Sequence, residues 1–93
     1  MSLEQFYKQD QTIYLIDIGN TSIQTAYLAE AKLYLGEIFY EHTVFLKWLS
    51  GLIKKKKCCL IASVAPSLDE KIKALSSSTV YFLTHQDIPL KLD

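Results

Sequence analysis

The stretch from Leu15 to Leu28, LIDIGNTSIQTAYL, decides the fold of this chain. An apolar run leads directly into one acidic residue, Asp17, and the turn residues Gly19-Asn20-Thr21 follow it. A second segment, in which apolar and polar residues alternate, begins immediately afterwards. Strand-forming residues on both sides of a Gly-Asn turn predict a β-hairpin. The acid just before the turn raises the further question of whether the hairpin tip binds an anion and a metal.

The composition indicates one small folded domain. The chain has 93 residues, of which 49% are hydrophobic and 12% aromatic, and this supports a packed core and argues against disorder. The formal net charge is zero, so the overall field favours no polyanionic partner, and we expect no nucleic-acid binding. All ten cationic residues are lysines. Arginine is the preferred phosphate clamp, so a complete phosphate-transferring enzyme would more often contain one.

The two cysteines, Cys58 and Cys59, are adjacent and lie in an apolar run. We expect buried thiols there, because no Cys-x-x-Cys spacing and no nearby histidine suggest a zinc site. The sequence shows no signal peptide and no apolar run of membrane-spanning length. We therefore expect a cytoplasmic protein with no membrane partner.

The first part of the chain predicts three antiparallel strands. Residues 1–11 are polar with scattered apolar groups, and we expect a loose leader. Thr12–Ile18 is almost continuously apolar, which predicts a central strand buried on both faces. Ser22–Ala29 alternates and is the expected hairpin partner. Lys32–Tyr40 is the expected third strand, with Gly36 as a bulge.

Helical periodicity begins after the third strand. Apolar residues at helical spacing form one stripe, made of Phe45, Trp48, Leu49, Leu52 and Ile53. We expect His42 or Thr43 to cap the start of this helix, and Lys54–Lys57 to end it, where cations suit the negative end of the helix dipole.

The remaining elements are a strand, a helix and a strand. Cys58–Val64 predicts a second buried strand. The sequence from Ser67 to Glu70 matches the capping box Ser-x-x-Glu, which predicts the start of a second helix. Leu68, Ile72 and Leu75 give that helix an apolar edge, and Ser76–Ser78 is expected to end it. Val80–Leu83 predicts a short last strand, and the tail from Asp87 is left unassigned.

The element order β-β-β-α-β-α-β predicts an α/β fold. Three antiparallel strands followed by strands joined through helices give a mixed sheet with helices on its faces. This order is typical of the ribonuclease H-like architecture.

The turn after Asp17 offers groups that could bind a magnesium nucleotide. Successive backbone N–H groups in a tight turn can converge on phosphate oxygens, and Gly19 permits close approach because it lacks a Cβ. Gly19 and Asn20 also tolerate the positive φ that tight turns often need. Asn20 and Thr21 add side-chain donors, and Asp17 could hold Mg²⁺ or its water shell. A plain hairpin uses the same residue types, so the motif alone is weak, and no P-loop or Gly-x-Gly-x-x-Gly motif is present.

Two further matches connect this turn with a known family. Leu15 to Ile23 resembles the first phosphate motif of type III pantothenate kinases, which belong to the actin, sugar-kinase and Hsp70-like superfamily. Ile61 to Leu68, IASVAPSL, is similar to the Ser-Val-Val-Pro segment of that family, and Pro89 to Leu92 is similar to the segment before its Gly-x-Asp-Arg motif. The first motif is shared across the superfamily, whereas its pairing with Ser-Val-Ala-Pro points to this family. The resemblance covers about residues 12–93.

The resemblance implies ATP-dependent phosphorylation of pantothenate, the first step towards coenzyme A. It implies ATP, Mg²⁺ and a monovalent cation, K⁺ or NH₄⁺, as cofactors. Asp17 would help to hold the metal, and Gly19, Asn20 and Thr21 would contact the ATP phosphates. It further implies nucleotide and pantothenate as ligands, and a homodimer whose active sites lie between two domains.

The resemblance also shows what this chain lacks. Family members are more than twice as long and carry a catalytic aspartate in Gly-x-Asp-Arg, a second phosphate motif and an adenosine motif. This chain stops before all three, so we expect residues 12–93 to be the N-terminal ribonuclease H-like domain, with the second domain absent and no catalytic residue of its own. We expect this portion of the kinase to be inactive alone. Some members also carry a lysine where this chain has Gln24.

Parts of the sequence are also compatible with other functions. A non-catalytic interaction or regulatory module derived from the same fold is the main alternative. Lys54–Lys57 could form a nucleic-acid patch, but four lysines without interleaved aromatic residues are more typical of a solvated helix end. A nuclease of this fold would need several clustered carboxylates, and the strand Cys58–Val64 contains none. His42 and His85 have no apparent acidic or nucleophilic partner, so we expect capping or surface positions for them.

Overall fold

A computed structural model of the chain describes residues 12–75 and 78–83, and it confirms the predicted element order and fold class. The loose leader over residues 1–11 and the tail from Asp87 lie outside the described residues. The elements in chain order are β1 Ile13–Ile18, β2 Ile23–Ala29, β3 Lys32–Phe39, α1 His42–Lys54, β4 Cys58–Ser63, α2 Pro66–Lys73 and β5 Val80–Leu83.

The strands form one mixed sheet in the order β3-β2-β1-β4-β5. β1 is antiparallel to β2 and parallel to β4, and β4 is parallel to β5. The predicted central position of β1 is therefore confirmed. Ile18 and Ser63 are register partners, so β1 and β4 end together at the same end of the sheet, beside the turn that follows β1.

One face of the sheet packs against both described helices. The expected apolar stripe of α1 is confirmed, with Phe45, Leu49 and Leu52 buried and Trp48 and Ile53 packed against the core. Leu68 and Ile72 of α2 are also buried, as predicted. These helical residues form one cluster with sheet residues that point to the same side, namely Ile16, Ile18, Ile23, Phe39, Cys59 and Ile61. Burial of this cluster is the main stabilising contribution of the described fold.

The opposite face carries a second, smaller apolar cluster. Its buried members are Ile13, Cys58 and Leu60, and Leu15, Leu28, Tyr81 and Leu83 pack against them. Because register partners project to the same side of a sheet, the face also includes Leu33, Leu35, Ile38, Asp17, Gln24, Ala26 and Ala62. Neither helix of the described residues contributes to this cluster, and we call this surface the helix-free face.

Gly36 lies at the predicted bulge in β3. Leu35 pairs with Ala26 and Ile38 pairs with Gln24, so two residues of β3 occupy the space opposite Thr25 alone. The Thr25 hydroxyl donates to the carbonyl oxygen of Glu37 within this irregular segment. A Cβ at Gly36 would lie 2.5 Å from Thr25 Oγ1. The bulge is therefore confirmed, and its geometry requires glycine.

The predicted helix caps are wrong. The N-cap of α1 is Glu41, one residue before His42, and its side chain makes no capping hydrogen bond. The N-cap of α2 is Ala65, so Ser67 lies inside the helix and the capping box does not form. Proline at the first helical position explains the earlier start, because its φ is already helical and it has no N–H group to satisfy.

The predicted helix ends are partly right. Lys54 is the last residue of α1, in agreement with the expected lysine-rich end. Lys56, in the turn that follows, has a positive φ of 56°. α2 ends at Lys73, before the serine run that was expected to end it.

The bulge generates a stability test with an internal control. Gly36→Ala should lower the free energy of unfolding by about 1–3 kcal/mol, because its methyl group overlaps the Thr25 hydroxyl. Gly51→Ala, inside α1, should raise it by up to about 1 kcal/mol, because a Cβ there has nothing within 4 Å and alanine is the better helix former. Urea unfolding measures both variants. A Gly36→Ala variant as stable as the parent would contradict the assigned bulge.

Candidate functional site

The turn between β1 and β2 is closed by one backbone hydrogen bond. The N–H of Gly19 donates to the carbonyl oxygen of Ser22 at 2.9 Å. A Cβ at Gly19 would lie 3.2 Å from that same oxygen, so this close approach favours glycine at the position. The turn therefore holds Asn20 and Thr21 at the tip of a hairpin whose two strands are paired up to Ile18 and Ile23.

Gly19 and Asn20 tolerate a positive φ, but neither residue adopts one in this turn. Residues 19–22 separate the last register pair of β1 and β2, and loops of this length are most often built around turns with negative φ. The positive values occur instead in the β2–β3 turn, at Glu30 and Ala31, with φ of 49° and 69°. That turn has only two residues between paired strands, and such turns need positive φ at both.

Asn20 and Thr21 are exposed at the tip. Within the part of the chain that the structure describes, neither side chain makes a hydrogen bond to protein. The N–H of Gly19 is already bonded to Ser22. The donors available to an anion are therefore the amide of Asn20, the hydroxyl of Thr21 and backbone groups other than that of Gly19.

A small cavity lies beside the tip, with a volume of about 50 Å³. Its lining comprises residues 19–23 of the hairpin, together with Phe39, Tyr40 and His42. The cavity could hold a few water molecules or part of one phosphate group, and is far too small for a whole nucleotide.

Sequence reasoning missed Tyr40 and His42 as neighbours of the turn. β3 runs antiparallel to β2, and Phe39 pairs with Ile23, so the residues after β3 return to the first turn. In any three-stranded meander the residues that follow the third strand lie near the turn between the first two. That topological signal was available in the predicted strand order.

Asp17 does not line this cavity. Its side chain is exposed on the helix-free face, with Gln24 of β2 as its register partner on one side and Ala62 of β4 on the other. The structure therefore brings Gly19, Asn20 and Thr21 together. It places the Asp17 carboxylate at the same end of the sheet, on the helix-free face. Among the described residues no group of three or more metal-ligating side chains occurs, so Asp17 belongs to no such group.

The Ser-Val-Ala-Pro segment lies next to the hairpin. The N–H of Val64 donates to the carbonyl oxygen of Ile18 at 3.1 Å, which extends the pairing of β1 and β4 beyond the last strand residues. The hydroxyl of Ser63 accepts a hydrogen bond from the N–H of Ala65 at 3.0 Å, just before α2 begins. The two sequence motifs thus meet at one end of the sheet, where Val64 of the second motif hydrogen-bonds to Ile18 of the first.

The two cysteines are buried free thiols, as predicted. Burial raises the pKa of the Cys58 thiol. Burial, followed by the neighbouring Cys58, raises the pKa of Cys59 to about 12. Because a thiolate is the form that binds metals and reacts as a nucleophile, both thiols are unreactive near neutral pH.

In the described part of the chain, no helix has both the length and the apolar character needed to cross a bilayer.

Comparison with known proteins identifies one family. The sequence model of the family described as type III pantothenate kinase matches residues 13–92. No curated protein matches.

Two solved structures match the chain at low similarity. The Aquifex aeolicus member of the Ppx/GppA protein family has 17% identity and a TM-score of 0.42, over 81% of this chain and 35% of its own. A structure of the Aquifex aeolicus PPX-GPPA enzyme has 16% identity and a TM-score of 0.38, over 80% and 36%. The chain thus spans about a third of the length of these structures.

The register of Asp17 and Gln24 can be tested by adding a charge. Gln24→Lys should form a cross-strand ion pair with Asp17 and raise the free energy of unfolding by about 0.2–1 kcal/mol at low salt. The gain should disappear in 1 M salt, where the Debye length falls to about 3 Å. Urea unfolding of Gln24→Lys, Asp17→Asn and the double variant measures the coupling. An equal gain in the Asp17→Asn background would contradict the assigned pairing.

The raised thiol pKa predicts a loss of stability in alkali. In the unfolded chain Cys59 has the ordinary pKa of 9.0, whereas in the folded chain it is about 12. The unfolded state therefore loses its proton first, and stability falls as the pH rises from about 9 towards 12. Urea midpoints between pH 8 and pH 10.5 should fall more steeply for the parent than for Cys59→Ala. Equal slopes would show that the thiol is not the group responsible.

Proposed function

We propose that this chain, which belongs to the type III pantothenate kinase family, supplies the first phosphate-binding loop of an ATP-dependent pantothenate kinase. The observation that carries the proposal is the closed β1–β2 turn, which presents Asn20 and Thr21 to solvent at the end of the sheet where β1 and β4 end together. The ligand-binding crevice of an open α/β sheet lies at the carboxyl ends of its parallel strands. The turn is therefore in the expected place for a phosphate contact.

The turn is suited to hold a phosphate group because its backbone is fixed before the ligand arrives. Hydrogen bonds from neutral donors to a charged phosphate are stronger than bonds between neutral groups. The hydrogen bond between Gly19 and Ser22 fixes the backbone, so little conformational freedom is lost on binding. In the proposal Asn20 and Thr21 make the direct contacts, and Gly19 shapes the turn and allows a phosphate oxygen to approach.

Asp17 is the residue proposed to hold Mg²⁺. Its side chain is exposed, and the described residues contain no group of three or more metal-ligating side chains. This fits Mg²⁺, which commonly binds through one or two carboxylates, with phosphates and water filling its other positions. When bound, the metal neutralises charge on the phosphates. The monovalent cation, K⁺ or NH₄⁺, is proposed from the family alone, and no described residue is assigned to it.

We do not expect turnover by this chain alone. Phosphoryl transfer depends on positioning and on charge stabilisation from groups on both sides of the phosphate. The described residues provide one side of such a cleft, and no general base for the pantothenate hydroxyl is assigned among them. In the proposal, pantothenate binding, catalysis in the cytoplasm and assembly as a dimer require the parts of the kinase that follow this domain.

A non-catalytic interaction module is the second candidate, and β3 is the observation that favours it. This strand forms one edge of the described sheet, and Leu33, Leu35 and Ile38 are exposed along it. Exposed apolar side chains on an unpaired strand edge are typical of a surface that binds another protein. In that case partner binding would occur without nucleotide.

A nucleotide titration with two charge-matched variants tests the proposed loop. The parent should bind ATP in the presence of Mg²⁺, as measured by calorimetry. Asp17→Asn should weaken this binding by about tenfold, or 1.4 kcal/mol, and should matter less when Mg²⁺ is removed. Glu30→Gln makes the same charge change at the β2–β3 turn and should have no effect.

Two other results bear on the assignment. Asn20→Ala should weaken ATP binding with and without Mg²⁺, because the amide contacts phosphate and not the metal. Unchanged affinity in Asp17→Asn would refute the metal assignment. Absence of any ATP binding by the parent, together with capture of a partner protein through β3, would favour the interaction module.

A further inference from the structure

The cavity beside the β1–β2 turn has two walls, and the proposed phosphate contacts lie on one of them. Residues 19–23, which include Asn20 and Thr21, form the first wall, and Phe39, Tyr40 and His42 form the second. A phosphate group bound by the turn and entering this cavity would therefore also meet the second wall.

Core packing fixes the position of the second wall. Phe39 pairs with Ile23 in the sheet, and its ring centroid lies 5.8 Å from that of Phe45 in α1. Phe45 is buried, and its N–H donates to the carbonyl oxygen of Glu41 at 3.1 Å. Residues 40–42 are thus held between a buried strand residue and a buried helix residue, so the wall is in place before any ligand binds.

His42 supplies the one side chain in the described lining of the cavity that can carry a positive charge. An imidazole has one N–H donor when neutral and two when charged. The His42 side chain is exposed, and within residues 12–75 and 78–83 it makes no hydrogen bond to protein. Its donor is therefore available to a phosphate oxygen.

The cavity and Asp17 lie on opposite sides of the same end of the sheet. Ile23 and Phe39 line the cavity and belong to the apolar cluster under the helices. Asp17 is on the helix-free face with its register partner Gln24. A phosphate contact at His42 is therefore separate from a metal on Asp17 and should not depend on Mg²⁺.

We propose that His42 is a further phosphate-contact residue, which donates a hydrogen bond to a phosphate group whose other contacts are Asn20 and Thr21. The phosphate is then held from both walls of the cavity, and its charge is met by an imidazole in a lining that contains no lysine. This inference rests on the proposed function, because it needs the turn to bind phosphate, and it adds a residue that lies outside both sequence motifs.

A charge series at His42 in the full 93-residue chain tests the contact. The probe is inorganic triphosphate without Mg²⁺, measured by calorimetry, because it has no nucleoside and needs no metal site. His42→Gln should weaken binding by about tenfold, the loss expected for a hydrogen bond to a charged group. His42→Lys should stay within about twofold of the parent because it keeps a cationic donor. His42→Glu should weaken binding more than His42→Gln, since like charges repel.

The same series separates a phosphate contact from a structural role. His42 is the first residue of α1, where an acidic side chain stabilises a helix and a cationic one destabilises it. In urea unfolding His42→Glu should therefore be the more stable variant and His42→Lys the less stable one, which is the reverse of their order in triphosphate binding. Thr43→Ala is the matched control, because Thr43 is an exposed neighbour that does not line the cavity. It should change the affinity less than about twofold, the bound set for His42→Lys.

Nuclear magnetic resonance can observe the contact directly. The chain contains two histidines, His42 and His85, so in His85→Gln the remaining imidazole signals report His42. These signals should shift as triphosphate is added and should saturate with the affinity that calorimetry gives.

Three results would overturn the inference. If His42→Gln binds triphosphate as tightly as the parent while Asn20→Ala binds it less tightly, the turn binds phosphate without His42, and the proposed function stands alone. If the affinities of the His42 variants follow their stabilities, the residue has a structural role. If the parent binds neither triphosphate nor ATP, the phosphate-binding loop and the contact at His42 are both refuted.

Discussion

The hydrogen bonding of β1 along both of its edges is the constraint on which the structure depends. β2 pairs with one edge in antiparallel register, and β4 pairs with the other in parallel register. The first pairing creates the hairpin turn, and the second requires a crossover through α1, which covers one face. Loss of either pairing would separate the turn from the Ser-Val-Ala-Pro segment, which meet where β1 and β4 end.

The same strand explains why structure and chemistry change within a few residues. From Ile13 to Ile16 its side chains fill the two apolar clusters. Asp17 is the first exposed residue of the strand, and Ile18 is again buried. A buried strand thus carries one carboxylate to the end of the sheet, two residues before Gly19 of the turn.

The sequence was a good guide to features that depend on local periodicity. The stripe of α1, the central position of β1 and the bulge at Gly36 were all predicted, because each leaves a repeat or a glycine at a position that has few alternatives. The caps were not predictable in the same way, since Pro66 moved the helix start away from a well-formed capping box. The side of the sheet on which Asp17 lies, and the approach of Tyr40 and His42 to the turn, depend on the pairing of distant strands. Periodicity within one segment carries little information about such pairing.

The bulge in β3 affects how readily a strand of another molecule can add to this apolar edge strand. A regular edge offers evenly spaced amide and carbonyl groups onto which the strand of another molecule can add, and repeated addition leads to fibrils. A bulge bends and twists the edge locally and breaks that spacing. We therefore expect the irregular pairing opposite Thr25 to hinder such addition to the strand that carries the exposed Leu33 and Leu35.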